Sequence, residues 1–359
     1  MNKTKNICLF NSSITWGGGE KWYLEIGIRL AESNYQIIAC TNKPSRLFER
    51  LKETTIPILQ VRIYNLSFID PFKILFLYRI FKKNQVDTII LGLSQDLKAA
   101  GLAAKIAGVR QIIYRRGLAK PIKNNIINRF YFKHIVSKVI TNSEEVKRSL
   151  LVRNHSLMKM SDIHVIYNGI DFTNVSHKNG KHVLSKRIVI GNVGRLIEEK
   201  GQKYLIELAA YLKKQQIDFI IRIAGIGKLR HQLDNYAKKL KVENSIIFLE
   251  FLHDTTNFYE EIDIFVFPSI SEGFSNALLE AMAHSKPVVA FNISSMPEMV
   301  DDGITGYLTP FGDIRQMADK VIHLINNPEL RKEMGEHAKN KISSKFDFYK
   351  NLQLLEELF

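Results

Sequence analysis

Glu272-Gly-Phe-Ser-Asn-Ala-Leu-Leu-Glu280, continuing into Ala281-Met282-Ala283, is bracketed by two short apolar runs, Ile264–Pro268 and Pro287–Phe291. The flanking runs have the length of buried strands, and the segment between them is rich in helix formers. The stretch therefore spells strand, turn, helix, strand, the repeating unit of a parallel sheet. Ser275 and Asn276 suit the helix N-cap, and Ala277 to Ala283 continue the helix. The bare amides of that first turn and the positive end of the helix dipole make an anion site. Glu280 lies one turn or more deeper, ~5.4 Å along the axis, while Glu272 stays outside the helix. This spacing suits a nucleotide: phosphate at the helix tip, ribose hydroxyls on Glu280, and Glu272 facing whatever hangs beyond the phosphate.

Working outward, the same alternation fills both halves of the chain. Strands are expected at Ile7–Phe10, Ile37–Cys40, Thr88–Leu91, Gln111–Tyr114 and Lys138–Thr141, with helices at Glu20–Glu32, Pro71–Lys83, Lys98–Ala107 and Glu144–Val152. The second half repeats the pattern with strands Ile188–Val193, Phe219–Ala224 and Ile246–Leu249 and helices Gly201–Gln215 and Lys228–Leu240. Helices near Ile314–Asn326 and Pro328–Ser343 follow, and Lys345–Phe359 reads as a last helix. Two tandem α/β units with parallel sheets imply two Rossmann-like domains facing each other across a cleft. The join is expected in the polar run Thr173–Lys186, which has little periodicity and contains an Asn-Gly turn signal.

A chain of 359 residues fits two domains, and 45% apolar residues suit a soluble globular protein. No apolar run reaches the ~18 residues of a spanning helix. The run Ile7–Phe10 is too short for the apolar core of a signal peptide. Cys8 and Cys40 both fall in expected strands, and two buried thiols in a reducing cytoplasm are a simpler reading than a disulfide. Charge is uneven. Residues 1–180 hold 28 Lys and Arg against 12 Asp and Glu, whereas residues 181–359 hold 23 against 24. The two halves are expected to meet different partners.

Several loops could carry chemistry. Gly17-Gly18-Gly19-Glu20 lies between the first strand and the first helix, where bare backbone can approach an anion. A plain flexible turn also accounts for it, and the Gly-x-Gly-x-x-Gly dinucleotide spacing is absent. Gly194-Arg195-Leu-Ile-Glu-Glu-Lys200-Gly201 puts two cations five positions apart in a loop before a helix, able to converge on a diphosphate. Two solvated surface charges would look the same. Ala224-Gly225-Ile-Gly227 ends a strand and opens a helix, and reads either as a base or phosphate contact or as a helix-entry turn. Asp301-Asp-Gly reads as a tight turn, not a metal pair, and no His/Cys set has zinc-ligand spacing, so no metal is expected.

Between Asp96 and Glu144 there is no acidic residue, while Arg115, Arg116, Lys120, Lys123 and Arg129 stand among Tyr114, Ile122, Ile126, Ile127, Phe130, Tyr131 and Phe132. Such a mixture suits an anionic membrane surface, a polyanion, or a basic but merely soluble face. The amphipathic helix expected at Pro71–Lys83 reads either as ordinary packing or as a membrane anchor, and packing is the simpler account.

Taken in order, these pieces resemble glycosyltransferase family 4, the group 1 glycosyltransferases. The matching residues are Gly17–Glu20, Asn168-Gly-Ile-Asp171, Gly194-Arg195 with Lys200-Gly201, Ala224-Gly225-Ile-Gly227, Glu272-Gly-Phe-Ser with Glu280-Ala-Met-Ala, and Pro297-Glu with Asp302-Gly-Ile-Thr-Gly306. The resemblance implies a GT-B fold and transfer of a hexosyl or N-acetylhexosaminyl group, with retention, from a nucleotide sugar. The UDP-linked donor follows from family frequency. Residues 1–175 would form the acceptor-binding domain, with a C-terminal helix 345–359 packing back on it, and 176–344 the donor-binding domain. Arg195 and Lys200 would neutralise the diphosphate, Glu272 would face the donor sugar, and Glu280 would take the ribose hydroxyls. Phe274, Ser275 and Asn276 would hold phosphate or sugar through their amides, with Gly194 and Gly225 lining the donor. Gly18 and Gly19 would close on it from the other domain. No metal or cofactor is implied, the nucleotide sugar being a substrate.

The implied acceptor is an anionic lipid-linked, lipopolysaccharide or polysaccharide glycan, met through Arg115, Arg116, Lys120, Lys123 and Arg129 at the inner face of the plasma membrane. That places the chain in the cytoplasm as a peripheral protein without a nucleic-acid partner. Two positions depart from the pattern. Tyr114-Arg115-Arg116-Gly117 stands where many relatives carry a His, and Ser285 where Gly is common. The competing reading is a catalytically inactive GT-B subunit that only binds nucleotide sugar. Intact Arg195, Lys200, Glu272 and Glu280 weigh against it.

Overall fold

The computed structural model describes residues 5–33, 35–174 and 187–359. They form two compact units, Met1–Tyr167 with Leu352–Phe359, and Asn168–Asn351. In the first unit the strands are β1 Lys5–Asn11, β2 Tyr35–Thr41, β3 Ile58–Gln60, β4 Thr88–Leu91, β5 Gln111–Arg116, β6 Lys138–Thr141 and β7 Ile163–Val165. They pair in parallel in the order β3-β2-β1-β4-β5-β6-β7. Helices run between successive strands, so the central strands are buried on both faces. Ile7, Phe10, Ile89, Ile90 and Leu91 are fully buried, as unbroken apolar strands of a parallel sheet must be.

The second unit holds β8 Ile188–Val193, β9 Phe219–Ala224, β10 Ile246–Leu249, β11 Ile264–Phe267, β12 Val288–Phe291 and β13 Gly306–Thr309. Their order is β10-β9-β8-β11-β12-β13, again parallel. Each sheet therefore reverses its winding once, between β1 and β4 and between β8 and β11. Ligands of open α/β sheets bind at the carboxyl ends of the strands flanking such a switch point.

The expected last helix over 345–359 is broken. Lys345 ends the helix Pro328–Lys345, and a new helix starts at Phe348. Between them Asp347 bridges to Ile170, with Ile170 N donating to Phe346 O at 3.0 Å and Phe348 N donating to Ile170 O at 3.1 Å. This pairing holds Asn168–Asp171 in the second unit, so the change of unit falls at Tyr167–Asn168. The expected join at 175/176 lies outside the described residues. The chain end belongs to the first unit: Lys5 Nζ donates to Phe359 O at 3.0 Å and Lys138 Nζ to Leu358 O at 3.1 Å.

The helical stretch expected from Lys98 starts earlier, at Ser94, and passes through a π turn at Leu97–Gly101 before Leu102–Ala107. The earlier start buries Asp96 completely at the switch point of the first sheet. Its carboxylate accepts from Ser12 N at 3.2 Å and Leu93 N at 3.1 Å, and from Ser12 Oγ. Burial pushes its pKa up to about 7, against these hydrogen bonds, which pull it down. Because the folded value lies above the unfolded value of about 3.9, the native state holds a proton that the unfolded state has released. Stability therefore falls as pH rises through that window, by on the order of 2 kcal/mol between pH 5 and pH 8. Asp96→Asn can accept from both backbone amides through its one amide oxygen and donate its NH2 to Ser12 Oγ, without the charge. Its melting temperature should vary less over this range than that of the unsubstituted chain. Parallel pH profiles for the two would contradict the assignment.

Candidate active site

Three loops meet at the carboxyl end of the second sheet. Gly194 N donates to Ala224 O at 2.9 Å and Leu196 N to Ile226 O at 3.0 Å, zipping the loop after β8 to the loop after β9. A Cβ on Gly225, whose φ is +142°, would stand 2.0 Å from Gly194 O, so only glycine lets these two backbones touch. On the other side, Ile270 N donates to Glu199 O at 2.8 Å and ties the loop after β11 to the turn Glu198–Lys200. The loops flanking the β8/β11 switch point thus form one continuous rim.

On that rim Lys200 Nζ and Glu272 Oε1 form an ion pair. Ser269 Oγ lies 2.7 Å from the same carboxylate oxygen and 2.9 Å from Glu199 O, and Lys200 Nζ sits 5.6 Å from the centre of the Phe267 ring. The sequence assigns Lys200 to a diphosphate and Glu272 to a sugar as separate tasks; the structure brings them together as one pair. Both are mostly buried, so an uncompensated charge there is costly and each side chain fixes the other. Arg195 is exposed, and its carbonyl accepts from the buried Gln202 Nε2 at 3.0 Å. Gly194 adjoins Lys200 and Gln202.

Helix Asn276–Ala283 begins at a Ser275 N-cap, whose Oγ accepts from Leu278 N at 3.3 Å. Asn276 is held from outside the helix, its Oδ1 accepting from Asn168 Nδ2 at 2.7 Å. Phe274 turns its ring to Phe346, with centroids 5.4 Å apart, so what it can offer a ligand is backbone. Glu280 Oε2 accepts from Thr255 Oγ1 at 3.2 Å and stands 3.2 Å from Tyr259 OH. Burial, and then the Glu280 charge, push the Tyr259 pKa well up, so the phenol keeps its one proton, which faces Ala277 O at 3.0 Å as well as this carboxylate. Asp301 pairs with Lys341 Nζ at 2.7 Å, and Asp302 accepts from Leu308 N at 2.8 Å, which fixes the turn before β13.

In the first unit the glycine loop opens helix Gly18–Glu32, and Gly18 is exposed. Arg115 adjoins it: a Cβ on Gly19 would lie 3.8 Å from an Arg115 guanidinium nitrogen, and the guanidinium carbon sits 4.3 Å from the centre of the Trp22 ring. Burial lowers the Arg115 pKa, opposed by Tyr23 and Glu20. The expected grouping of five basic residues on one face is thereby corrected. Arg115 is only 8% exposed and lies inside the fold, while Arg116 is half-buried and donates to Tyr114 OH at 3.3 Å and Lys120 O at 2.9 Å. Lys120, Lys123 and Arg129 are exposed.

Sequence reasoning missed the residues that hold these groups: Ser269 under Glu272, Gln202 under Arg195, Thr255 and Tyr259 around Glu280, and Trp22 over Arg115. Asn168 was noted only as part of a motif. Ser269 had a faint signal, standing three positions before Glu272 at a strand end; the others had none.

Residues 16–174 match the family model described as Glycosyltransferase Family 4, and residues 176–341 the model described as Glycosyl transferases group 1. The chain belongs to the group 1 glycosyltransferases. Among relatives of this group 1 glycosyltransferase, a capsular polysaccharide biosynthesis glycosyltransferase, CapM of Staphylococcus aureus, is 28% identical over 232 residues. That match covers 62% of this chain and 60% of the relative, so the chain spans less than two thirds of its length. A UDP-Gal:alpha-D-GlcNAc-diphosphoundecaprenol alpha-1,3-galactosyltransferase of Escherichia coli is 26% identical, covering 82% of this chain and 81% of that one. Anabaena HepE, solved in complex with UDP and glucose, superposes with a TM-score of 0.84 at 21% identity over 98% of both chains. The likeness establishes the GT-B fold, two Rossmann-like domains.

Proposed function

We propose that this chain transfers a hexosyl or N-acetylhexosaminyl group, with retention, from a UDP-sugar to a lipid-linked, lipopolysaccharide or polysaccharide acceptor. The observation that carries the reading is the Lys200–Glu272–Ser269 cluster beside a capped helix N-terminus at the switch point of the second sheet. The E. coli relative is named for a UDP-sugar donor and a diphosphate-lipid acceptor, and HepE is solved with UDP. Both support the choice of donor.

Each group has a task that its surroundings suit. The first-turn amides at Phe274–Asn276 receive phosphate, and Glu280 receives the ribose hydroxyls. Arg195 and Lys200 offset the charge that grows on the diphosphate as the bond to the anomeric carbon breaks. Stabilising developing charge with preplaced donors is the strongest lever in such a site, and two fixed cations supply it without a metal ion. Glu272 accepts hydrogen bonds from sugar hydroxyls. The C1–O bond cleaves, its electron pair stays on the phosphate oxygen, and an acceptor hydroxyl adds to C1 from the same face. The acceptor proton passes to the departing phosphate oxygen, so no protein base is required. On the first unit, the Gly17–Gly19 loop offers exposed backbone at Gly18 to an anion, with the buried Arg115 guanidinium behind it, and Arg116, Lys120, Lys123 and Arg129 suit an anionic acceptor. The proposed place of action is the inner face of the plasma membrane.

A thermal-shift screen against UDP-, GDP- and ADP-sugars tests the donor assignment. A UDP-sugar should raise the melting temperature in a concentration-dependent way. No shift with any nucleotide sugar would contradict it. Glu280→Gln keeps shape but removes the charge from the ribose hydrogen bonds. It should weaken UDP-sugar binding by about tenfold while changing kcat little; unchanged affinity would remove Glu280 from the site.

A further inference from the structure

The helix Pro71–Lys83 is apolar on two opposite faces. Leu77 and Phe81 are buried in the core of the first unit, but Phe72, Leu75 and Phe76 point outward, with Phe72 83% exposed. Positions 72, 75, 76 and 79 share one helical face, where a helix that merely packs on a sheet would carry polar residues. The preceding turn adds exposed Leu66 and Ile69. This surface runs on to helix Ile126–His134. Lys98 Nζ sits 5.5 Å from the Phe68 ring centre, Tyr131 OH donates to Lys98 O at 2.6 Å, and the Tyr131 ring touches that of Phe130. On that helix Ile126 is 83% exposed and Phe130 is also exposed.

The same surface is cationic. Arg62, Arg79, Lys82, Lys83, Lys123 and Arg129 are exposed on these segments. Residues 57–86 contain one acidic residue, Asp70, whose carboxylate caps the helix by accepting from Phe72 N and Lys73 N; residues 97–143 contain none. A second copy of this chain would bring like charge against like. A nucleic acid would satisfy the charge but leave the aliphatic and aromatic side chains without an apolar partner. An anionic lipid bilayer satisfies both: headgroup phosphates for the cations and the acyl boundary for the apolar tips.

We infer that the Phe72–Phe76 face is a membrane wedge, seated on an anionic bilayer and flanked by these cations. In the catalytic reading above, which gives this docking its purpose, it would hold the chain where a lipid-linked acceptor is presented. The wedge differs from a purely electrostatic attachment, in which apolar side chains stay in water.

Flotation of the purified full chain with vesicles tests it, using phosphatidylcholine alone and phosphatidylcholine with an equal amount of phosphatidylglycerol. Binding should require phosphatidylglycerol, weaken as NaCl rises from about 0.1 to about 0.5 M, and leave a salt-resistant remainder. Phe72→Ser/Leu75→Ser/Phe76→Ser should lose that remainder and bind about tenfold or more weakly at low salt. Its melting temperature and its transfer to a water-soluble acceptor analogue should be unchanged, since all three side chains are exposed. Equal binding by the triple variant would overturn the inference. So would vesicle-free dimerisation abolished by the same substitutions, or tighter binding to DNA than to the anionic vesicles. No donor or acceptor enters the flotation, so a chain that floats but transfers nothing refutes the catalytic proposal alone, and one that transfers but does not float refutes the wedge alone.

Discussion

Lys200→Ala is expected to lower kcat for glycosyl transfer by about 10²–10³-fold, with a smaller change in KM. Two effects add. In the proposed reaction Lys200 is a cation facing the departing diphosphate, whose charge is largest in the transition state, and the variant lacks it. Glu272 also loses its ion-pair partner and keeps Ser269 Oγ at 2.7 Å as its remaining described contact in the cluster. Lys200→Arg keeps the charge on a wider, planar head and should recover part of the rate. Glu272→Gln separates the roles. If the carboxylate serves the sugar, this variant should lose rate with every donor sugar and alter the preference among sugars, while UDP itself still binds. The check is steady-state kinetics of the three variants beside their affinity for UDP. A Lys200→Ala enzyme with an unchanged kcat would show that the pair is structural.

Gly201→Ala should destabilise the second unit by ~3 kcal/mol or more and remove activity with it. Gly201 sits at φ +65°, where a non-glycine residue costs roughly 1–2 kcal/mol. Its new Cβ would also stand 2.0 Å from the Pro268 carbonyl oxygen, which belongs to the loop carrying Ser269 and Glu272. Neither backbone can yield without moving Lys200 on one side or Glu272 on the other. Gly303 provides the comparison. It has a similar φ of +76° but open space around its missing Cβ, so Gly303→Ala should cost only the conformational strain, about 1 kcal/mol. Thermal unfolding of both variants measures the difference. Equal melting temperatures would mean that the rim gives way at no cost.

These two positions show what sequence could and could not disclose. The alternation of apolar runs and helix formers disclosed the parallel sheets, because strands buried on both faces cannot avoid unbroken apolar runs. Ser275 was readable as a cap and Glu280 as a helical carboxylate, since both depend on neighbours within four positions. The partners that hold the site were not readable, because Asn168 meets Asn276, and Lys200 meets Glu272, across 108 and 72 positions. The strands β3 and β7 were missed because three residues are too few for a recognisable run, and β13 because it begins on Gly306. Arg115 and Arg116 look alike in sequence, but successive strand residues face opposite ways, sending one under Trp22 and the other to Tyr114 OH. The helix Pro71–Lys83 was recognised as amphipathic, but its outward Phe72 became visible only once the core had claimed Leu77 and Phe81.

Metal-independent, retaining transfer from a UDP-sugar is the reaction we propose. Proton NMR of the product formed by the purified chain, a UDP-sugar and a lipid-linked acceptor in excess EDTA tests it most directly. The expected product is a glycoside with the anomeric configuration of the donor, formed as fast as without EDTA and about 10²–10³-fold more slowly by Lys200→Ala. A product of inverted configuration, or one that forms only when a divalent cation is restored, would contradict it.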